Sequence, residues 1–439
     1  MHSTQFTTRC EMSGTFGVVT SGHWIATQIG MAMLESGGNA FDAAVATGFA
    51  IQALEPQQNS LGGEVVIMAY RTGSPAPHVI CGQGVAPAAA TIDRYKSLGI
   101  ETISSTGLLS AVVPGAFDAW LLLLRDFGTR KLKDVLQPAI DYTQNGYPLT
   151  REAVDLVTKS ADQFRQKWKT SSAIYLPNGR MPEVGALFRN PILSQTYARL
   201  AESALAAGND RDAQIEAARH AFYRGFVADK IASFVANPVG PDGEMMDRSG
   251  LLTADDMASW HATYEDPVCY RFGGLHVYKP GPWTQGPVFL QMLALIQNSS
   301  VLNLEPFSAE YVHTLVEFAK LAFADREVWY GDPNFTDVPL ATLLSDDYNA
   351  KRRGLVTSAA SAEFQPGRIA DRPNRCPTYK LNVTGGFDTQ LLVMDEQTAP
   401  GAGDTCHIDV IDRHGNAVAA TPSGGWLSVR RQFLISASR

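Results

Sequence analysis

The chain has 439 residues, 45% hydrophobic and 18% charged, with a formal net charge of −8, which fits a packed globular protein of one large or two to three ordinary domains. The acidic balance argues against a nucleic-acid partner, since the longest basic run, Lys351-Arg352-Arg353, reads as a solvated helix end. The five cysteines (Cys10, Cys81, Cys269, Cys376 and Cys406) are odd in number, widely spaced and free of any CxxC, so neither a disulfide framework nor a metal site is predicted and a reducing compartment fits.

In chain order, residues 1–12 are polar, without a basic then apolar leader, and no run of eighteen uncharged apolar residues follows anywhere. A cytoplasmic chain with no membrane partner is expected. Residues 17–21 read as a short strand and 23–35 as an amphipathic helix that stops at Gly37-Gly38. Asn39 with Asp42 three residues on has the form of a capping box. The helix it starts is apolar on every side from 43 to 54, which predicts burial all round against a sheet. Glu55-Pro56 ends it. Residues 59–63 read as a tight loop whose Gly62-Gly63 pair suits close backbone approach, and 64–70 as a strand. Another strand, 78–81, leads into Gly82-Gln83-Gly84-Val85-Ala86-Pro87, which is no dinucleotide fingerprint because GxGxxG is incomplete and no helix follows.

The middle is mostly helical: 115–125, 131–145, 150–169, 194–207 and 213–236 carry helical periodicity. Leu252-Thr253-Ala254-Asp255-Asp256 opens a short capped helix, and 271–278 reads as one strand. A rigid turn at 280–287 precedes a helix over 288–296. Ser308 caps a long helix to about 329, where Gly331-Asp332-Pro333 stops it. His23 and His313 on helices read as core or interface residues, and Asp325-Arg326 as a structural ion pair. From 357 to 403 the chain turns polar and irregular, in the manner of a surface segment.

That segment runs into Gly403-Asp404-Thr405-Cys406-His407. Period-two alternation over 405–412, a Gly415-Asn416 turn and an apolar run over 417–421 predict a β-hairpin. A threonine at the head of such a strand is ordinarily only a β-former. Cutting the bond before it gives it a free α-amine, with an unperturbed pKa of about 7.7–8, beside its own hydroxyl. Nucleophile and base then lie in one residue. By strand alternation His407 is expected to point away from Thr405's neighbours.

Several motifs in order carry a family resemblance. They are Gly37-Gly38-Asn39-Ala40-Phe41-Asp42-Ala43-Ala44-Val45-Ala46; Glu55-Pro56 with Gly62-Gly63; Val113-Pro114-Gly115; Leu252-Thr253-Ala254-Asp255-Asp256; Ala324-Asp325-Arg326 with Gly331-Asp332-Pro333; and Asp404-Thr405-Cys406-His407 with Asp412-Arg413-His414-Gly415-Asn416-Ala417-Val418. Over about 17–421 the chain resembles the γ-glutamyltransferase family of N-terminal-nucleophile (Ntn) hydrolases. The resemblance implies an α+β fold, a four-layer αββα sandwich, made as one precursor with a large-subunit region 1–404 and a small-subunit start 405–439. It implies cleavage between Asp404 and Thr405, Thr405 as catalytic nucleophile toward an amide, acyl transfer to water or an amine, and Asp404 lining the exit of the site. The partners implied are a small-molecule amide substrate and the two subunits of one precursor. No metal or organic cofactor is implied.

Three departures shape the expectation. The family's substrate-carboxylate arginine is matched by Gln83, which lacks the charged fork and makes glutathione-like substrates doubtful. The residues after Gln83, and Val113-Pro114-Gly115-Ala116-Phe117-Asp118-Ala119-Trp120, are similar to the oxamate amidohydrolase branch. The family's supporting threonine is matched by Ser423, which keeps a hydroxyl, while Thr421 matches directly. Lastly, 35 residues run from Thr405 to Arg439, whereas the family's small subunit runs far longer. A truncated small subunit is expected, with the oxyanion-hole glycines and most of one sheet beyond it. The tail from about Ser428 departs from the family, and a frameshift would account for it. Three readings follow: an amidase for a small acidic amide such as oxamate, γ-glutamyl transfer or hydrolysis, and an inactive truncated member.

Overall fold

A computed structural model of the protein describes residues 11–101, 103, 107–239, 248–370, 372–373 and 405–424. The described residues fall into two compact units, one built from residues up to Ser74, from Ile80 to Tyr264 and from Thr405 to Gly424, the other from Pro75 to Val79 and from Glu265 onward. The expected cleavage site Asp404 and the tail from 425 lie outside the described residues, as does most of 357–403.

In the first unit, strand β1 (Gly17–Ser21) leads into helix α1 (Trp24–Glu35), capped by His23 Nδ1, which accepts from the Ile25 N–H at 3.2 Å. Gly37, at φ 90°, takes the left-handed turn that a side chain would resist. Asn39 and Asp42 form the expected capping box on helix α2 (Ala40–Leu54). Asp42 also accepts from Thr129 N–H, Thr129 Oγ1 and Arg130 N–H at 2.7–2.9 Å, which ties α2 to the loop after a later helix. All fifteen residues of α2 are buried, as its lack of a polar face requires.

Strand β2 (Asn59–Tyr70) follows, so residues 59–63 are strand and not the loop expected. The glycine signal marks a bulge: opposite β2, Ser423 pairs with Glu64 but Gly424 with Asn59, which loops out the residues between. Gly63 passes so close that a Cβ there would lie 2.1 Å from the Ser423 carbonyl oxygen. Strand β3 (His78–Gly82) and helices α3 (Ile92–Ser97), α4 (Ala116–Phe127) and α5 (Leu132–Asn145) come next. A two-residue pair, β4 (Tyr147–Pro148) and β5 (Leu187–Phe188), brackets α6 (Arg151–Gln166) and α7 (Lys169–Tyr175). The single helix expected over 213–236 is two, α9 (Arg211–Tyr223) after α8 (Pro191–Ala206), and α10 (Phe226–Ala236), because Gly225 leaves helical geometry between them. Helix α11 (Ala254–Ser259), with a Thr253–Asp256 capping box, and strand β6 (Thr263–Glu265) close this run.

The second unit opens on a hairpin, β7 (Val268–Phe272) and β8 (Leu275–Lys279). The one strand expected over 271–278 is therefore broken, because Gly273 and Gly274 both take positive φ and turn the chain. Helices α12 (Gly286–Gln297), α13 (Ala309–Trp329), α14 (Leu340–Leu343) and α15 (Asp346–Arg353) follow. Asp325 does not pair with its neighbour. It is fully buried, 3.2 Å from Arg352, and accepts from Gln291 Nε2 and the Gly367 N–H, both at 2.6 Å. Arg326 pairs with Glu327 instead, while Asp325 is buried against Arg352. His313, half-buried, bonds the Thr357 carbonyl at 2.7 Å.

The chain then returns to the first unit as the expected hairpin, β9 (Ile408–Asp412) and β10 (Ala417–Gly424), inserted at the centre of a six-stranded sheet of order β1-β9-β10-β2-β3-β6. Burial alternates along β2, β9 and β10, with every second side chain on the helix-covered face. Ile408, Val410, Val418, Ala420, Val65, Ile67 and Ala69 are buried there over α2 and α4. The result is the α+β architecture expected, with helices packed on one face of the sheet and further helices covering them in this unit.

Candidate active site

Thr405 stands three residues ahead of β9 and is joined to Ser423 of β10 by an isolated antiparallel bridge. Residues two apart on a strand share a face, so Thr405, His407 and Asp409 project together, beside Thr421 and Ser423 across the hairpin. Thr405 Oγ1 and Ser423 Oγ are 3.1 Å apart, within hydrogen-bond distance. His407 Nδ1 lies 2.9 Å from Thr421 Oγ1, and its Nε2 lies 3.0 Å from Asp409 Oδ1. The expectation that His407 turns away is thus corrected: period-two alternation puts it on Thr405's own face. Cys406, between them, faces inward. Its Sγ accepts from Asn59 Nδ2 at 3.4 Å, and burial drives its thiol pKa up, so it stays protonated and poorly nucleophilic.

The backbone sets where the Thr405 nitrogen points. The Cys406 N–H donates to the Pro422 carbonyl at 3.1 Å. That makes Thr405 and Ser423 a pair of the non-hydrogen-bonded kind, whose own N–H and C=O groups point away from each other's strand. The Thr405 nitrogen therefore faces the β1 side of the hairpin. Strand β1 reaches only to Ser21, paired with Ile408, and then turns away into α1. The space left beside Thr405 is a cleft of about 370 Å³, walled by residues 20–22, by Glu55 and Gln58 at the α2–β2 corner, and by residues 405–407.

Glu55 is the one acidic side chain in that wall. It is 8% exposed, and its Oε2 has no hydrogen-bond partner among the described residues; neither has Gln58 Oε1. A Cβ on Gly22 would lie 2.5 Å from Glu55 Oε2, so the glycine is what lets the carboxyl reach the cleft. Burial, reinforced by the negative charge of Glu152, raises the Glu55 pKa to about 7. His23, fully buried at the start of α1, is held neutral, its pKa lowered by burial to about 4.

Of the residues singled out from sequence, the fold brings Thr405, Thr421 and Ser423 together. Gln83 does not join them: it is exposed just after β3, and the cleft walls do not include it. Glu55 and Gly22 carried no functional reading in the sequence. The available signal was an acid closing a helix with no other charge beyond its first turn.

A family model described as Gamma-glutamyltranspeptidase matches residues 26–427. The "Glutathione hydrolase-like YwrD proenzyme" of Bacillus subtilis (strain 168) is 30% identical over 407 residues, which cover 92% of this chain and 66% of that protein. This chain spans between 62% and 66% of the length of that protein and of the "Glutathione hydrolase proenzyme" of Escherichia coli (strain K12). Among solved structures, LmbA2991 is 47% identical at a TM-score of 0.88, covering 98% of this chain and 71% of that one. A cephalosporin acylase from Bacillus halodurans is 25% identical at a TM-score of 0.76, covering 98% and 70%.

Proposed function

From the premise that this chain belongs to the γ-glutamyltranspeptidase family, of Ntn-hydrolase fold, we propose that it is a self-processing amide hydrolase and acyltransferase whose nucleophile is Thr405. The observation that carries the proposal is the Thr405 hydroxyl, 3.1 Å from the Ser423 hydroxyl at the mouth of a cleft that the Thr405 nitrogen also faces. In processing, Thr405 Oγ attacks the Asp404 carbonyl carbon. The C–N bond breaks, the nitrogen takes up the proton that Oγ gives up and becomes an amine, and water then hydrolyses the resulting ester. The free amine next takes the hydroxyl proton as Oγ attacks a substrate amide, and passes it to the departing nitrogen. The acyl group on Oγ goes to water or to an acceptor amine. Ser423 orients the reacting hydroxyl, and Thr421 holds His407 beside it.

The substrate we propose is a small acidic amide of the oxamate kind. Its support comes from sequence: Gln83, which lies outside the cleft beside Thr405, stands where the family carries a carboxylate-clamping arginine. A second reading, hydrolysis or transfer of γ-glutamyl groups, is supported by the names of two relatives, a glutathione hydrolase-like proenzyme and a glutathione hydrolase proenzyme. Turnover of oxamate against a γ-glutamyl anilide separates the two. The processing step is tested by intact-mass measurement of the purified protein: the wild type is expected as two pieces meeting at the 404–405 bond, and Thr405→Ala as one. An active Thr405→Ala protein would sink the proposal.

A further inference from the structure

The cleft beside Thr405 holds two acceptor oxygens with nothing to accept from. Glu55 Oε2 and Gln58 Oε1 are both buried and both without a hydrogen-bond donor among the described residues. A buried acceptor left unpaired costs on the order of 1–3 kcal/mol, and more for a charged group. No lysine or arginine is among the cleft's walls. The titratable groups around it are Glu152, a like charge; His23, kept neutral; the protonated Cys406 thiol; and His407, whose two nitrogens face Thr421 and Asp409. Neither oxygen thus has a donor among the described residues, and the bridge geometry turns the Thr405 nitrogen toward the cleft.

Cleavage of the 404–405 bond would create that donor. The amide nitrogen, with one N–H, would become an amine that carries three when protonated. We propose that Glu55 is a positioning residue for mature Thr405: its unpartnered oxygen accepts a hydrogen bond from the new α-ammonium and holds the nitrogen toward the Thr405 hydroxyl. Gln58 Oε1 takes a second N–H. This inference rests on the processing reading above. It gives the precursor an unsatisfied pocket that processing satisfies, and it makes the Glu55 charge the setter of the amine's basicity. Gly22 has a defined part in it, because any side chain there would push the carboxyl out of the cleft.

The test is the pH dependence of carbamylation of the Thr405 amine by cyanate, followed by mass spectrometry on the full protein, in the wild type and in Glu55→Gln. Only the neutral amine reacts, so the midpoint reads its pKa. An opposite charge within about 4–6 Å shifts a pKa by about 1–3 units. The wild-type amine is expected to titrate above its free value of about 7.7–8, and Glu55→Gln to bring the midpoint down by about one unit or more, with Glu55→Asp in between. Equal midpoints in wild type and Glu55→Gln overturn the inference. Should Glu55→Gln remain uncut, the wild-type midpoint alone decides, and a value at or below that of a free amine overturns it. A wild-type chain that stays whole overturns the processing reading itself, and shows this before any titration is run.

Discussion

On the proposed reading Ser423 and Glu55 both act on Thr405, and each makes a measurable difference. Ser423 Oγ is within hydrogen-bond distance of the Thr405 hydroxyl. A hydrogen bond of this kind is worth about 0.5–1.5 kcal/mol net, so Ser423→Ala is expected to slow both the cut and turnover by about three- to tenfold, and Ser423→Thr to keep most of the rate. Time courses on a denaturing gel and steady-state assays check this. Glu55 acts on stability as well as on the amine. In a Thr405→Ala background, where no amine forms, its carboxyl has a folded pKa of about 7 against an ordinary 4.5. Below pH 4.5 it is protonated folded and unfolded alike. Between 4.5 and 7 the unfolded chain loses the proton first, so stability falls as pH rises, and above 7 the loss is complete. Adding Glu55→Gln is therefore expected to stabilise that uncut chain by on the order of 2–3 kcal/mol at pH 8 and to change little at pH 4. Urea unfolding at the two pH values decides it. The hairpin that carries Thr405 was legible in the sequence, because an alternating strand after a polar junction has a recognisable pattern. Glu55 was not, because burial and an orphaned oxygen are properties of surroundings.

At the scale of elements, the site depends on the hairpin being pinned to the buried helix. Asp412, at the end of β9, accepts from the Ala40 N–H at the first turn of α2 at 3.0 Å, and from the N–H groups of His414 and Asn416 and the Asn416 amide within its own turn. Burial works against its charge, yet these donors, Asn416 foremost, hold the carboxyl below its ordinary range. A carboxylate at a helix N-terminus adds a favourable dipole interaction. Asp412→Ala strands the buried Ala40 N–H and removes the acceptor of three part-buried donors. It is expected to cost about 3 kcal/mol or more, seen as a lower denaturant midpoint, and to slow the cut at Thr405. The sequence showed the hairpin and both helix caps through turn and capping chemistry, which are local. It misplaced the start of β2, the break at Gly225 and the turn at Gly273-Gly274. Glycine signals that the backbone departs from the regular path, but what the departure becomes depends on the strand or helix beside it.

For the whole molecule, the described residues build two units, each with its own core. In the second, Asp325 and Arg352 form a buried pair that Gln291 and the Gly367 N–H complete. Removing one partner of such a pair leaves an uncompensated charge and costs about 3–5 kcal/mol. Asp325→Ala is expected to raise hydrogen exchange sharply across α13 and α15; unchanged protection there would contradict this role. The order of motifs along the chain determined the family and the α+β class, because cap pairs, turn residues and alternation are read from neighbours in sequence. Only the tertiary structure decided that Glu55, 350 positions before Thr405, walls the same cleft, and that Asp325 pairs with Arg352 and not with Arg326. The first is set by sheet order, with the last hairpin between β1 and β2, and the second by the packing of α15 on α13 in the other unit.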